Sequence, residues 1–339
     1  MCGFWLLTTG GTFLTKVLLT EPALSIPAPV LITWTQCLVS WLFLEMLAAI
    51  GVRRPKGLLG EFASIRRLPQ VGRSWGPWVA QDDGGDAAGV SDLARLKLAS
   101  SPGAPRHEVP PCGGTMLTAS VCFAGVVLLD NMCLQHVNVS FFSVARGLSL
   151  PLVSAAGYFL AGARPRWDLG MPILMCLCGF SFGSRAQPAE RFTGTVYGAL
   201  ASVMLALYAV ALEPVSRGPP GAPGRLDVWQ LTLLTNRNAA WLLLPAVALL
   251  EAPLITAHAA AAVTPQFWGA VLAGALLSVS AAVLAVAHAR CCESPGVWVA
   301  SVTAQRAAQH GLAFLVWGNS PRIFGEIGTA LVLGAFAVY

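Results

Sequence analysis

The sequence predicts an all-α protein, a polytopic membrane bundle of about ten transmembrane helices. Hydrophobic residues make up 55% of the 339 residues, and charged residues make up only 11%. The mean hydropathy of +0.66 agrees with this balance. Soluble domains carry about 25% charged residues, so this composition cannot cover the surface of a water-soluble domain. Lipid must therefore be the solvent for most of the chain.

The apolar residues are grouped in runs of about the 20 residues that a helix needs to cross a bilayer. Ten runs approach this length: residues 4–20, 28–50, 113–131, 139–161, 168–184, 192–213, 228–250, 265–288, 294–317 and 321–339. The chain thus divides into residues 1–51 with two helices, residues 52–112 as a loop, and residues 113–339 with eight helices. A single membrane domain is expected.

Ten helices also divide into five and five. Membrane transporters are often built from two inverted halves with a binding site near the bilayer midplane. We therefore expect two inverted five-helix halves, an expectation that comes from architecture because no residue-level repeat is visible between them.

Residues 52–112 differ from the rest of the chain. They contain nine of the 21 Lys and Arg residues, many Gly and Pro residues, and little periodicity. This composition is typical of disorder. The stretch Asp82–Asp86 is interpreted as a solvated acidic turn in preference to a cation site.

The basic residues of the loops predict the orientation. Loops after the second, fourth, sixth and eighth helices hold nine, two, two and one Lys or Arg, whereas the other loops hold only Arg185, Arg191 and Arg322. The positive-inside rule places the first set, and both termini, in the cytosol. Without residues 52–112 the count is five against three, which keeps the same sign.

Four basic residues fall inside the apolar runs, namely Lys16, Arg146, Arg237 and Arg306. A charge at the bilayer centre costs at least about 2.5–3.5 kcal/mol, so each should face a cavity, a partner or the bundle interior. Lys16 could instead reach the headgroups, Arg146 could pair with Asp130, and Arg237 could pair with an acid such as Glu213. Because basic groups outnumber acids in the middle of the runs, we expect an anionic ligand such as a phosphate.

Amide side chains accompany these charges. Asn131, Asn236, Asn238, Gln305 and Gln309 offer donors and acceptors that suit a ribose or a base edge. Hydrogen bonding between helices is the alternative role for each of them.

No catalytic or metal-binding motif is found. The five His residues are scattered, and HExxH, Walker A and GxGxxG patterns are absent from the sequence. The nine Cys residues include no CxxC pair and are interpreted as small apolar fillers. We expect no enzyme, no cofactor, no metal and no binding of nucleic acid, and no signal peptide because the apolar start lacks a basic segment.

Several motifs in the first half of the chain carry information together. Phe13-Leu-Thr-Lys16 is followed by Ala28-Pro-Val and Gln36-Cys-Leu-Val39. These motifs resemble those of GDP-fucose transporters, which have Phe-Leu-Asn-Lys, Asp-Ala-Pro and Gln-Cys-Leu-Val. Asp130-Asn131-Met-Cys-Leu is similar to Asn-Asn-Leu-Cys-Leu, and Arg146-Gly-Leu to Arg-Ser-Leu.

The second half keeps the same order of motifs. Trp229-Gln-Leu-Thr232 with Asn236 and Asn238 is similar to Trp-Arg-Leu-Thr-Phe-Tyr-Asn-Asn-Val-Asn, and Phe267-Trp-Gly and Ser294-Pro follow. The resemblance covers nearly all of the chain except residues 52–112. It extends to the drug/metabolite transporter superfamily, with nucleotide-sugar transporters and triose-phosphate translocators.

This resemblance implies cavity roles for Lys16, Asn131, Arg146, Asn236 and Asn238. The ninth-helix Gly-Thr-Ala-Lys of the family reads Val302-Thr303-Ala304-Gln305 here, with Arg306 one place later. Thr303, Gln305 and Arg306 therefore complete the expected site. One residue is about 100° of helix rotation, so Arg306 can replace the Lys only if the helix turns or its side chain wraps around.

Two other departures weaken the family pattern. Thr15 stands where the family has the Asn of the first helix, and Tyr208 and Pro214 stand where it has Asn and Lys in the sixth.

The implied function is exchange of GDP-fucose, or a related GDP-sugar, for a nucleoside monophosphate across the Golgi membrane. The endoplasmic reticulum is the alternative location, and a homodimer is an alternative to a single copy. Two other functions stay open: transport of another nucleotide sugar or a sugar phosphate, and a degenerate relative that acts as a scaffold or regulator without transport.

Overall fold

A computed structural model describes residues 2–20, 28–50, 113–161, 169–185, 192–216, 226–257, 264–292, 294–317 and 323–338, and these ranges contain helices and no β-strand. The predicted disordered loop at 52–112 lies outside the described residues. The helices are α1 Cys2–Thr20, α2 Pro29–Ala49, α3 Gly113–His136, α4a Val139–Arg146, α4b Ser149–Ala161, α5 Gly170–Arg185, α6 Phe192–Ser216, α7 Val228–Ala246, α8 Pro265–Cys291, α9 Pro295–Trp317 and α10 Ile323–Val338.

Each of the ten predicted apolar runs contains one of these helical segments, with α4a and α4b sharing a run, so the predicted helical bundle is confirmed. One clear difference lies in α3, which continues to His136 instead of ending near residue 131. Asp130 and Asn131 suggested an earlier end because they are polar. Both contact polar groups of neighbouring helices, so the helix continues through them.

The surface of the bundle is suited to lipid. Among the described residues, five helical stretches are long and apolar enough to span a membrane: Pro29–Ala49, Gly114–His136, Phe192–Glu213, Val228–Leu254 and Pro265–Cys291. Large apolar side chains such as Phe159 and Leu249 point outward and are about four-fifths exposed. Meanwhile Arg146, Asn131 and Gln305 are buried inside. This arrangement of apolar outside and polar inside is that of a membrane protein.

The helix packing repeats between the two halves of the chain. Helix α1 packs on α8, and its counterpart α6 packs on α3. Likewise α2 packs on α8 as α7 packs on α3, and α4 contacts α5 as α9 contacts α10. The pairs α2–α7, α4a–α9 and α5–α10 join equivalent helices of the two halves. Since the described part of each half contains five helical runs, an odd number, the second half begins on the opposite membrane face, and the halves are therefore inverted.

The fourth run is broken after Arg146. Pro151 has no N–H to donate to the carbonyl of Gly147, one turn earlier. The chain makes a tight turn at Gly147 and Leu148 instead, with the N–H of Gly147 bonded to the carbonyl of Val144 at 2.9 Å. The hydroxyl of Ser149 donates to the carbonyl of Arg146 at 2.6 Å. As a result, Arg146 is the last residue of α4a, near the middle of the bundle.

The seventh run is also irregular. Pro245 interrupts its hydrogen bonding, and a π-helical turn, Val247–Glu251, follows before the helix ends at Ala257. A π-turn shifts the following side chains around the helix. The buried carboxylate of Glu251 accepts hydrogen bonds from the backbone N–H groups of Val30 and Leu31, at 2.9 and 2.6 Å. It thereby caps the N-terminus of α2, where a negative charge is favoured.

Candidate functional site

A cavity of about 200 Å³ lies between the two halves of the bundle. Helices α1 to α4a line it from one half, and α6, α8 and α9 line it from the other. It extends from the middle of the bundle toward the end where α1 and α9 begin, since Phe4 and Trp298 contribute to its wall. Its polar lining is formed by Thr8, Thr12, Thr15, Gln36, Asp130, Asn131, Arg146, Tyr208, Ser278, Gln305 and Arg306.

Arg146 reaches the cavity from the end of α4a and is held by the protein. One terminal nitrogen forms an ion pair with the carboxylate of Asp130 on α3. The other donates to the carbonyl of Ala201 on α6 at 2.9 Å. The alternative role considered for Arg146, a pair with Asp130, is therefore present in the fold.

Arg306 reaches the same cavity from α9 with different partners. Its Nη1 donates to Oγ1 of Thr12 and to Oε1 of Gln309, both at 2.9 Å. No carboxylate forms an ion pair with it among the described residues, and its Nη2 makes no hydrogen bond to them. Its guanidinium lies 5.2 Å from the ring centre of Phe142, and that of Arg146 lies 5.8 Å from the same ring. The two cations therefore flank one aromatic side chain, at distances that favour a cation–π contact.

The charges of the cavity do not cancel. The lining contains two arginines and one carboxylate, Asp130. Asp130 uses one oxygen for Arg146, and its Oδ1 is buried without a partner among the described residues. The described lining therefore carries a net charge of one positive unit, which favours an anion.

Gln305 and Arg306 are adjacent in sequence, and both line the cavity. Arg306 therefore faces the cavity although it stands one residue after the position of the family's lysine. The amide of Gln305 is 1% exposed, and neither its nitrogen nor its oxygen has a hydrogen-bond partner in the described part of the chain. Asn131, a second amide of the lining, donates to the hydroxyl of Thr33 on α2 at 2.7 Å. Four of the eight expected site residues are thus brought together: Asn131, Arg146, Gln305 and Arg306.

Three of the other expected residues lie at helix contacts outside the cavity lining. The hydroxyl of Thr303 bonds to the carbonyl of Val299 at 2.9 Å. Asn236 donates to the carbonyl of Thr232 at 2.8 Å within α7. Asn238 donates to the hydroxyl of Ser120 at 3.0 Å, joining α7 to α3.

Lys16 is not part of the lining, although its neighbour Thr15 and its partner Leu134 are. Its ammonium donates to the carbonyls of Leu134 and Val137, at 2.6 and 2.9 Å, at the end of α3. A cation is favoured at a helix C-terminus because the last carbonyls lack intrahelical partners.

The site also contains residues that sequence reasoning missed. Thr8, Thr12 and Thr15 of α1 line the cavity, and Phe142 lies between the arginines. A signal for the threonines was present, since a spacing of four and three residues places them on one helix face. Phe142 precedes Arg146 by four residues and so shares its face.

Replacing Lys16 by methionine tests its role. We expect a loss of thermal stability, because each hydrogen bond to a charged group contributes about 1.5–3 kcal/mol, and an unchanged nucleotide affinity. Thermal unfolding with and without nucleotide measures both quantities. A stable variant with weakened binding would instead assign Lys16 to the ligand site.

Comparison with known proteins extends the resemblance found in the motifs. No family model matches the chain. It is 23% identical over 342 residues to GDP-fucose transporter 1 of Nematostella vectensis, covering 100% of this chain and 86% of the relative. It is 25% identical over 342 residues to GDP-fucose transporter 1 of Mus musculus, covering 99% and 80%. A solved structure with 15% identity has a TM-score of 0.54 and covers 100% of this chain and 96% of its own, which supports the fold.

These relatives align with almost the entire chain, as the order of the motifs in both halves predicts. The predicted resemblance is therefore confirmed: the chain is similar over its whole length to the GDP-fucose transporters.

Proposed function

We propose that the chain is a nucleotide-sugar transporter that exchanges GDP-fucose, or a related GDP-sugar, for a nucleoside monophosphate across the Golgi membrane. The single observation that carries this proposal is the cavity between inverted halves with two arginines and one carboxylate. Guanidinium groups bind phosphate through charge-assisted hydrogen bonds. The names of the relatives supply the choice of GDP-fucose.

In this proposal one cavity arginine and two cavity amides contact the ligand. Arg306 binds a phosphate group, because it has no carboxylate ion-pair partner in the described part of the chain. The amides of Asn131 and Gln305 bind the sugar, ribose or base, which present matching donors and acceptors. Thr303, Asn236 and Asn238 support the site from the helix interfaces.

Exchange requires the helices to move. The volume of about 200 Å³ is below the roughly 300–1,000 Å³ typical of small-molecule sites, so the halves must separate to admit a nucleotide sugar. Access from the far end would require the contacts of Lys16 with α3 and of Glu251 with α2 to open. A cargo drives this alternation only through different affinities for the two states.

Uptake into liposomes tests the proposal directly. Liposomes that contain the purified protein and internal GMP should accumulate radiolabelled GDP-fucose faster than UDP-sugars or CMP-sugars. They should do so only slowly without internal GMP, because exchange needs a counter-substrate. If no nucleotide sugar is taken up, the proposal of transport is contradicted. If another nucleotide sugar is taken up faster than GDP-fucose, that compound is the substrate.

A transporter of a different anion is the second candidate function. The net positive charge of the described lining suits it equally, because a sugar phosphate and a nucleotide sugar each carry about two negative charges. Adding sugar phosphates to the uptake panel separates the two candidates.

The orientation is a separate prediction. Because basic residues are concentrated in alternate loops, both termini and residues 52–112 should face the cytosol. Protease added to sealed Golgi vesicles should cut within residues 52–112. If cleavage requires detergent, residues 52–112 face the lumen and the predicted orientation is wrong.

A further inference from the structure

The charges of the cavity assign a separate role to Asp130. This side chain forms an ion pair with Arg146 and compensates the charge that Arg146 would otherwise offer to an anion. The other terminal nitrogen of Arg146 donates to the carbonyl of Ala201, and its buried Nε has no partner among the described residues. Arg306 is the cavity arginine that has no ion-pair partner among the described residues, so of the two cations in the described lining only Arg306 keeps an uncompensated charge.

The carboxylate is also incompletely neutralised. Its Oδ1 is buried and receives no hydrogen bond from the described residues. Burial in a low-dielectric interior makes its repulsion of a nearby phosphate stronger than it would be in water. A phosphate beside Arg306 would therefore be attracted by one guanidinium and repelled by a carboxylate of the same lining.

We propose that Asp130 is a specificity-determining residue that limits the negative charge of the ligand this cavity accepts, by occupying Arg146 and by repelling additional phosphate charge. The inference rests on the proposed function, since it takes the ligand to be a nucleotide. It predicts that, among ligands with the same base, the chain prefers those with less negative charge.

The isosteric change Asp130→Asn isolates this effect. It removes the negative charge, keeps the shape, and releases Arg146 for the ligand. The gain in affinity should therefore grow with the charge of the ligand. Guanosine has no phosphate, GMP carries about 1.5–2 negative charges, and GDP carries more.

The experiment measures the Kd of guanosine, GMP and GDP, and of uridine, UMP and UDP, for the full-length protein in lipid nanodiscs. For Asp130→Asn we expect an unchanged Kd for the nucleosides and tighter binding of the monophosphates. For the diphosphates we expect at least about a tenfold gain, since relief of a like-charge contact exceeds the roughly 1.4 kcal/mol of one tenfold step. Glu45→Gln is the matched control, because Glu45 is an exposed carboxylate on α2 outside the cavity lining, and it should change none of these values.

The double variant Asp130→Asn with Arg146→Gln provides a second test, which also applies if the single variant fails to fold. It removes both members of the pair and leaves no unpaired charge, so the protein should melt near the wild type. The matched comparison is Arg146→Gln alone, in which Asp130 keeps its charge. Relative to Arg146→Gln, the double variant should bind nucleosides equally and diphosphates at least about tenfold tighter, because the carboxylate that repels the second phosphate is gone.

The outcomes separate this inference from the proposed function. Equal gains for nucleosides and diphosphates, or a double variant that binds diphosphates no tighter than Arg146→Gln does, would overturn the role of Asp130 while nucleotide binding stands. Binding of no nucleotide by any variant would overturn the proposed function and this inference with it. Diphosphate binding that appears only in Asp130→Asn would support the inference strongly.

Discussion

Replacing Arg306 by glutamine is expected to weaken nucleotide binding by about 1.5–3 kcal/mol, the contribution of a hydrogen bond to a charged group. The empty protein should be as stable as the wild type or more so. Arg306 has no carboxylate partner among the described residues, so its removal leaves no acid unpaired there. The groups that lose a hydrogen bond are the hydroxyl of Thr12 and the amide of Gln309.

Arg290→Gln is the matched control for this prediction. Arg290, at the end of α8, donates to the carbonyl of Leu226 and lies 3.9 Å from the carboxylate of Asp227. It does not line the cavity. Its replacement should lower the melting temperature and leave nucleotide affinity unchanged, the reverse of the result for Arg306→Gln. If Arg306→Gln melts early and keeps the full nucleotide-induced shift, Arg306 is structural and does not belong to the site.

Replacing Gly328 by alanine is expected to disrupt the packing of α10 on α5. A Cβ at this position would lie 2.7 Å from the carbonyl oxygen of Gly179 and 3.1 Å from the backbone nitrogen of Gly183. Both are backbone atoms, which cannot rotate away as a side chain can. Inserting a carbon into a well-packed interior costs typically 1–3 kcal/mol, so thermal unfolding in detergent should show a clear loss of stability.

Gly269→Ala on α8 is the control, because a Cβ at this position would meet no atom within 4 Å. Alanine favours helix over glycine by about 1 kcal/mol, so this variant should be as stable as the wild type or more so. Equal stability of the two variants would contradict the close approach of α5 and α10. The comparison tests the fold without reference to any ligand.

The positions of the helices could be predicted from the sequence because the length and the apolar character that a membrane span needs are local properties of the chain. Any run of about 20 apolar residues with few charges satisfies them alone. The runs at 28–50 and 192–213 match the described helices α2 and α6 to within three residues at each end. The break in α4 was not predicted, although Pro151 was visible, because a proline in a membrane helix can kink, break or be accommodated by its neighbours.

The site was predictable to a smaller extent. The sequence identified Arg146 and Arg306 as charges at membrane depth, and it named Asp130 as a partner for Arg146. It could not decide whether Arg306, one residue away from the expected position, would face the cavity. That depends on the rotation of α9 against α1 and α4a, where Thr12 and Phe142 contact the guanidinium.

Taken by itself, the sequence determined that this chain is a membrane bundle of ten helices with more basic than acidic groups at membrane depth, because both properties follow from composition along the chain. The tertiary structure decided which of those charges share a cavity. Lys16 and Arg306 look alike in the sequence, as single cations in apolar runs. In the fold, Lys16 binds the end of α3, and Arg306 faces the cavity between the two halves. The difference arises because helix packing brings groups that are distant in sequence close to each cation. Those groups determine whether the cation is held at the end of a helix or faces the cavity.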